Sequence, residues 1–101
     1  MKASLKLLFL ILMVAAVGLW ADDAATIYKS KCQACHGADG KGSAVGQKIG
    51  VISFQDPAVV KMSDAELFDT TKKGKNKMPA YDGKLSDADI KAVVKFCRDL
   101  K

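Results

Sequence analysis

Cys32, Cys35 and His36 carry the most legible chemistry in this 101-residue chain. Two thiols separated by two residues, with an imidazole directly after the second, have the spacing of covalent c-type haem attachment. The two sulfurs must reach the two vinyl groups of one porphyrin and form thioether bonds. The next residue must then aim a nitrogen at the iron. A two-residue spacer on a helical turn sets both sulfurs along one edge, and the same backbone holds His36 close. No other histidine occurs in the chain, so His36 is the single histidine candidate for the iron.

One histidine rules out bis-histidine ligation within a single chain. The sixth iron position is then left to a methionine, a lysine or no side chain at all. Beyond the N-terminal segment the methionines are Met62 and Met78. Met62 directly precedes Ser63, where a flexible thioether can fill an apolar gap. Met78 lies in Lys77-Met78-Pro79-Ala80-Tyr81, where Pro79 stops any helix and stiffens the chain. That loop comes 42 residues after His36, far enough to cross to the other face of a porphyrin. Met78 is therefore the expected sixth ligand, with Lys75 or Lys77 able to replace it at high pH.

Other residues have plainer readings beside their functional ones. Cys97 leaves an odd cysteine, either a reactive or dimerising thiol or a small apolar residue on a buried stripe. Its register with Val93 and Val94 favours the stripe. Lys72, Lys73, Lys75 and Lys77 cluster just before Met78. Such a run is a solvated loop or, beside an exposed haem edge, a surface that steers an acidic redox partner. Tyr28, Phe54, Phe68, Tyr81 and Phe96 read as packing around the pocket and helix crossing.

The elements that position these residues are helical. Residues 24–31 read as an N-terminal helix entering the Cys32 motif, with Asp22 and Asp23 suiting its dipole. Gly37, Gly40, Gly42, Gly46 and Gly50 predict irregular backbone wrapping the haem. Asp56-Pro57 predicts a short helix. Ser63-Asp64-Ala65-Glu66 is a capping box for a helix running to about Gly74. Ser86-Asp87-Ala88-Asp89 starts a last helix, with Ile90, Val93, Val94, Cys97 and Leu100 at helical spacing. No segment reads as a strand. The expected class is all-α, with long haem-contacting loops.

Residues 1–21 have the form of an export signal: a basic head at Lys2 and Lys6, then 15 apolar or small residues. That run is shorter than the roughly 20 residues of a spanning helix. Ala21 and Gly18 are the candidate cleavage positions, and an uncleaved segment would tether the protein to a membrane. Residues 22–101 then form one domain of 80 residues. A chain this short buries little apolar surface by itself, and a covalent haem would complete its core. Losing Lys2 and Lys6 while keeping all 11 acids takes the formal charge from +5 to +3. Two ionised propionates bring that near neutral, a poor fit to nucleic acid.

Taken together, the chain resembles the small soluble monohaem cytochromes c, in particular short bacterial and photosynthetic-type members. Tyr28 stands four residues before Cys32, where that family carries an aromatic. Gly74 to Tyr81, GKNKMPAY, is similar to its methionine loop. Ala92-Val93-Val94-Lys95-Phe96, with Arg98 and Leu100, is similar to its C-terminal helix. Ala25, near a family glycine at the helix crossing, and Cys97, at a usually aliphatic position, depart from the pattern. The resemblance implies crossing N- and C-terminal helices, His36/Met78 ligation of one covalent haem c, and one-electron transfer.

The expected protein is thus a monomeric periplasmic electron carrier rather than an enzyme. A haem peroxidase or gas sensor with an open sixth site is one alternative, although no histidine remains for distal acid–base work. A fixed electron-transfer subunit of a respiratory complex is another. A dithiol redox centre would want a βαβ context, which is absent. Zinc on Cys32, Cys35, His36 and Cys97 would crowd the adjacent Cys35-His36 pair.

Overall fold

Cys32 and His36 sit on a helix that changes pitch as it reaches them. The structure, a computed structural model, describes residues 23–101. The expected export segment, residues 1–21, and the expected domain start at Asp22 lie outside the described residues. α1 (Asp23–Ile27) continues into a π-helical turn, Tyr28–Cys32, and resumes as α2 (Gln33–His36). The Gln33 amide donates to the Tyr28 carbonyl, one residue further back than in an α-helix. Such widened turns are frequent at functional sites, and this one rotates Cys32 relative to an even helix.

The glycine-rich stretch is not irregular throughout, as its composition predicts. It holds a short helix, α3 (Ala44–Lys48), whose N-cap Ser43 accepts a hydrogen bond from the Gly46 amide. Tertiary contact explains the difference. A Cβ on Gly46 would lie 1.8 Å from the Cys35 carbonyl oxygen, so α3 seats directly on the backbone of the motif. Asp56 and Pro57 start α4 (Pro57–Val60) as their types predict, the Asp56 carboxylate accepting from the Ala58 amide.

Ser63 caps α5 (Asp64–Lys73) and Ser86 caps α6 (Asp87–Asp99), each accepting from the amide three residues on. The capping box at Ser63 departs in one detail. The Glu66 carboxylate meets the Ser63 hydroxyl at 3.2 Å. α6 buries Ile90, Val93 and Val94. α1 packs on α6, and α5 packs beside it. At the crossing of the terminal helices Tyr28 and Phe96 meet with ring centroids 5.1 Å apart. Ala25 is exposed, so the crossing does not turn on the size of that residue.

The fold is all-α, with only isolated bridges at Lys75–Met78 and Asp82–Leu85 among the described residues. Its fully buried apolar core there consists of Tyr28, Ile90, Val93 and Val94. Ile49, Val51, Phe54, Val59 and Leu67 line a cavity, as do Val93 and Val94 of that core, whereas Val45 and Val60 are exposed.

Candidate functional site

Ala34, Cys35 and His36, with Gly37 after them, are held from behind by hydrogen bonds to their carbonyls. The Ser43 hydroxyl donates to the Ala34 carbonyl at 2.6 Å, and the Ser43 amide donates to the Cys35 carbonyl at 3.0 Å. The Gly42 amide donates to the His36 carbonyl at 2.8 Å. The buried Tyr28 hydroxyl donates to the Gly37 carbonyl at 2.6 Å. Phe54 stacks on the His36 ring, centroids 4.7 Å apart and planes 28° off parallel. These contacts leave the two thiols and the imidazole facing one common space.

Met78 approaches that space on a loop of its own. The Lys75 and Met78 backbones exchange hydrogen bonds of 3.1 and 2.9 Å, closing a tight turn with Asn76 at φ +54°. Gly74, at φ +77°, lies so close that a Cβ there would come within 3.0 Å of the Met78, Pro79 and Ala80 backbone. Past Pro79, the Tyr81 amide donates to the Thr71 carbonyl of α5 at 3.2 Å. Its hydroxyl donates to the Lys31 carbonyl at 2.9 Å, next to Cys32.

Cys32, Cys35, His36 and Met78 line one cavity of about 350 Å³, within the size range of small-molecule sites. Its walls are mostly aliphatic and aromatic, with Val93, Val94 and Cys97 contributed by α6. Met62 also lines it, in the gap-filling place its position suggests. The charged residues at the lining are Lys31, Lys75, Lys77 and Arg98, with no acid among them. Arg98 is tied back from its Nε to Asp64 at 2.9 Å, and its terminal nitrogens donate to the Val60 and Met62 carbonyls. It thereby holds the α4–α5 connection against α6. Sequence alone reads Arg98 as a basic helix end and misses that role. Ser43, Gly46 and Gly74 are missed as supports too, because their partners are distant backbone atoms.

Burial sets the protonation states. It lowers the His36 pKa, favouring the neutral imidazole that ligates metals. It raises the Cys32 thiol, only partly offset by Lys31. It pushes Cys97 up to about 12, with Cys32 adding to the effect. Cys97 is half-buried and continues the apolar stripe of Val93 and Val94, in keeping with its register.

Residues 21–96 match the family described as cytochrome c oxidase, cbb3-type, subunit III. The chain belongs to that family. This cytochrome is 36% identical over 76 residues to the cbb3-type cytochrome c oxidase subunit FixP of Bradyrhizobium diazoefficiens. That match takes in 73% of the chain but 25% of FixP, so the chain spans about a quarter of that relative's length. The solved KustC0563 c-type cytochrome superposes with a TM-score of 0.70 at 29% identity, covering 75% of this chain and 94% of that one. A tyrosine-to-phenylalanine mutant of the same protein gives 0.71 at 28% identity, covering 78% and 99%. The protein is a small monohaem cytochrome c. Its class carries a covalently bound c-type haem with iron and transfers electrons through it.

The residues present fit that cofactor. His36 Nδ1 is buried and has no hydrogen-bond partner among the described residues, so no protein hydrogen bond claims that nitrogen. The donor set of two thiols, one imidazole and one thioether around an apolar cavity suits a covalent porphyrin with a soft sixth ligand. Among the described residues no group of three or more histidine, cysteine or acidic side chains is arranged to hold a metal ion directly.

Proposed function

We propose that Cys32 and Cys35 hold the haem as thioethers, that His36 and Met78 are its axial ligands, and that the protein is a one-electron carrier exported to the periplasm. The observation that carries this reading is the convergence of the Cys32–His36 segment and the Met78 loop on one apolar cavity. When bound, the haem supplies a couple between ferrous and ferric iron. Cys32 and Cys35 keep the cofactor from dissociating outside the cytoplasm. His36, neutral and braced by Phe54, presents a fixed lone pair. Met78 favours a higher potential than a second histidine would. The cavity wall is mostly apolar, and no catalytic residue is assigned.

Residues 22–101 are proposed to be the working domain, and residues 1–21 its export signal or anchor. Lys75 and Lys77, exposed at the cavity lining, would meet an acidic redox partner. Lys72 serves less well. Its amine is bonded to Asp87 at 3.1 Å and lies over the Phe68 ring. Lys73 is exposed but lies off the lining.

The family and the FixP likeness favour a second reading, a fixed electron-transfer subunit of a cbb3-type oxidase. No helix among the described residues is long and apolar enough to cross a membrane.

The test is to express the chain with a haem-attachment system and record optical spectra of both oxidation states, with and without carbon monoxide. A ferric methionine–iron charge-transfer band and a ferrous form indifferent to carbon monoxide are expected. A missing band with ready carbon monoxide binding would turn the reading to ligand sensing or peroxide chemistry. Fractionating the native host separates the two readings. A free carrier is released with the periplasm, whereas a fixed subunit stays with membranes and co-purifies with the oxidase.

A further inference from the structure

The Met78 loop and the Cys32–His36 segment are far apart in sequence and share one cavity, so something must set the distance between them. Among the described residues, one hydrogen bond joins the loop, residues 74–85, to residues 28–50. It runs from the Tyr81 hydroxyl to the Lys31 carbonyl at 2.9 Å, across 50 positions. Its two ends are well placed. Lys31 adjoins Cys32 within the widened turn, and Tyr81 stands three residues after Met78, beyond the stiff Pro79.

The near end of the loop is anchored independently. The Tyr81 and Asp82 amides donate to the Thr71 and Lys72 carbonyls at 3.2 and 3.0 Å, which fixes the loop to α5. Those bonds do not reach the haem-attachment side. α5 packs on α6, and α6 on α1, so without the hydroxyl a path from the loop to Cys32 runs through two helix interfaces among the described residues. The Tyr81 ring lines the cavity itself, so its hydroxyl strap closes a short path around the pocket.

We infer that Tyr81 is a positioning residue: its hydroxyl, bonded to the Lys31 carbonyl, holds the Met78 loop closed over the haem iron and so protects the sixth position from outside ligands. This rests on the assignment of Met78 as axial ligand. A ligand that enters must displace the thioether and let the loop move away. The Tyr81–Lys31 bond opposes that motion, with the strength of one ordinary protein hydrogen bond.

The test uses the ferric holoprotein and imidazole as the probe, followed by loss of the methionine–iron charge-transfer band or, where that band is absent, by the shift of the main haem absorption. Tyr81→Phe keeps the ring and removes the hydroxyl. Its affinity for imidazole should rise about two- to tenfold over wild type, the range expected for one lost hydrogen bond. The same substitution in a Met78→Ala background should then change imidazole affinity little, because there is no thioether left to hold in place. An unchanged affinity in Tyr81→Phe overturns the inference. So does an equal rise in both backgrounds, which would place the effect on general access or on overall stability. If Met78→Ala alone leaves imidazole binding as in wild type, the ligand assignment itself falls, and the role of Tyr81 falls with it.

Discussion

Cys97 shows how far a side chain's chemistry depends on its surroundings. An exposed free thiol would be a liability, yet Cys97 shares the cavity lining with Val93 and Val94. Burial raises its pKa from 9.0 to about 12. Only the thiolate reacts readily. The folded protein at pH 9 should therefore alkylate at Cys97 at least about a hundredfold more slowly than the urea-unfolded protein, as mass spectrometry of timed iodoacetamide reactions can measure. The sign of the pH effect on stability follows from the same shift. Below pH 9 the thiol is protonated in both states and has no effect. Between about 9 and 12 the unfolded chain ionises and the folded chain does not, so stability falls as pH rises. Cys97→Val should flatten that part of the stability curve. Gly46 illustrates the opposite case, where the absence of a side chain is what matters. A Cβ 1.8 Å from the Cys35 carbonyl forces α3 off the motif. Gly46→Ala should cost about 3 kcal/mol, the upper end for overpacking, read as a lowered urea midpoint at unchanged slope.

Helix starts were the most legible elements because their causes are local. Ser63, Ser86 and Asp56 each cap the helix their neighbours predict, and each bond lies within three residues of its donor. The Cys32–His36 motif and the stripe of Ile90, Val93 and Val94 were legible for the same reason: spacing in the letters maps directly onto one turn or one face. The π turn at Tyr28–Cys32 was not, since one widened turn leaves the hydrophobic period nearly unchanged. Nor was α3, whose Ala44-Val45-Gly46-Gln47 run has no apolar stripe and a glycine at its centre. Its stability comes from Ser43, which caps the helix and also donates to the Ala34 carbonyl. The two caps can therefore be compared. Ser63→Ala removes an exposed cap and should cost about 1 kcal/mol. Ser43→Ala also leaves the Ala34 carbonyl without that donor and should cost about 2 kcal/mol, at the top of the range for a cap. Urea titrations of the two holoproteins measure the difference. Equal losses would mean that the Ser43–Ala34 bond adds nothing to the cap.

For the whole molecule, the placement of charge matters more than its sum. The cavity lining carries Lys31, Lys75, Lys77 and Arg98 and no acid. Arg98 is neutralised by Asp64, and Lys72 nearby is held by Asp87, which raises its pKa through their hydrogen bond. The free positive potential at the mouth therefore comes from Lys31, Lys75 and Lys77, all exposed. On the proposed docking at this mouth, an acidic partner face is expected, and the attraction would act mainly on the rate of encounter. Electron transfer from an acidic, low-potential donor such as a reduced flavodoxin-type protein to the ferric cytochrome should slow as salt rises. The two bodies lose sight of each other once the screening length falls below about 10 Å, near 0.1 M salt. At 10 mM salt Lys75→Glu and Lys77→Glu should each lower the second-order rate constant by roughly fivefold, while Lys72→Glu, whose charge is already spent on Asp87, should lower it less. Stopped-flow traces at several salt concentrations decide the matter. All variants should converge with wild type at 1 M, where direct pairing is screened. If Lys72→Glu is as slow as Lys77→Glu at low salt, docking follows the net charge of the α5 end and the cavity mouth is not its focus.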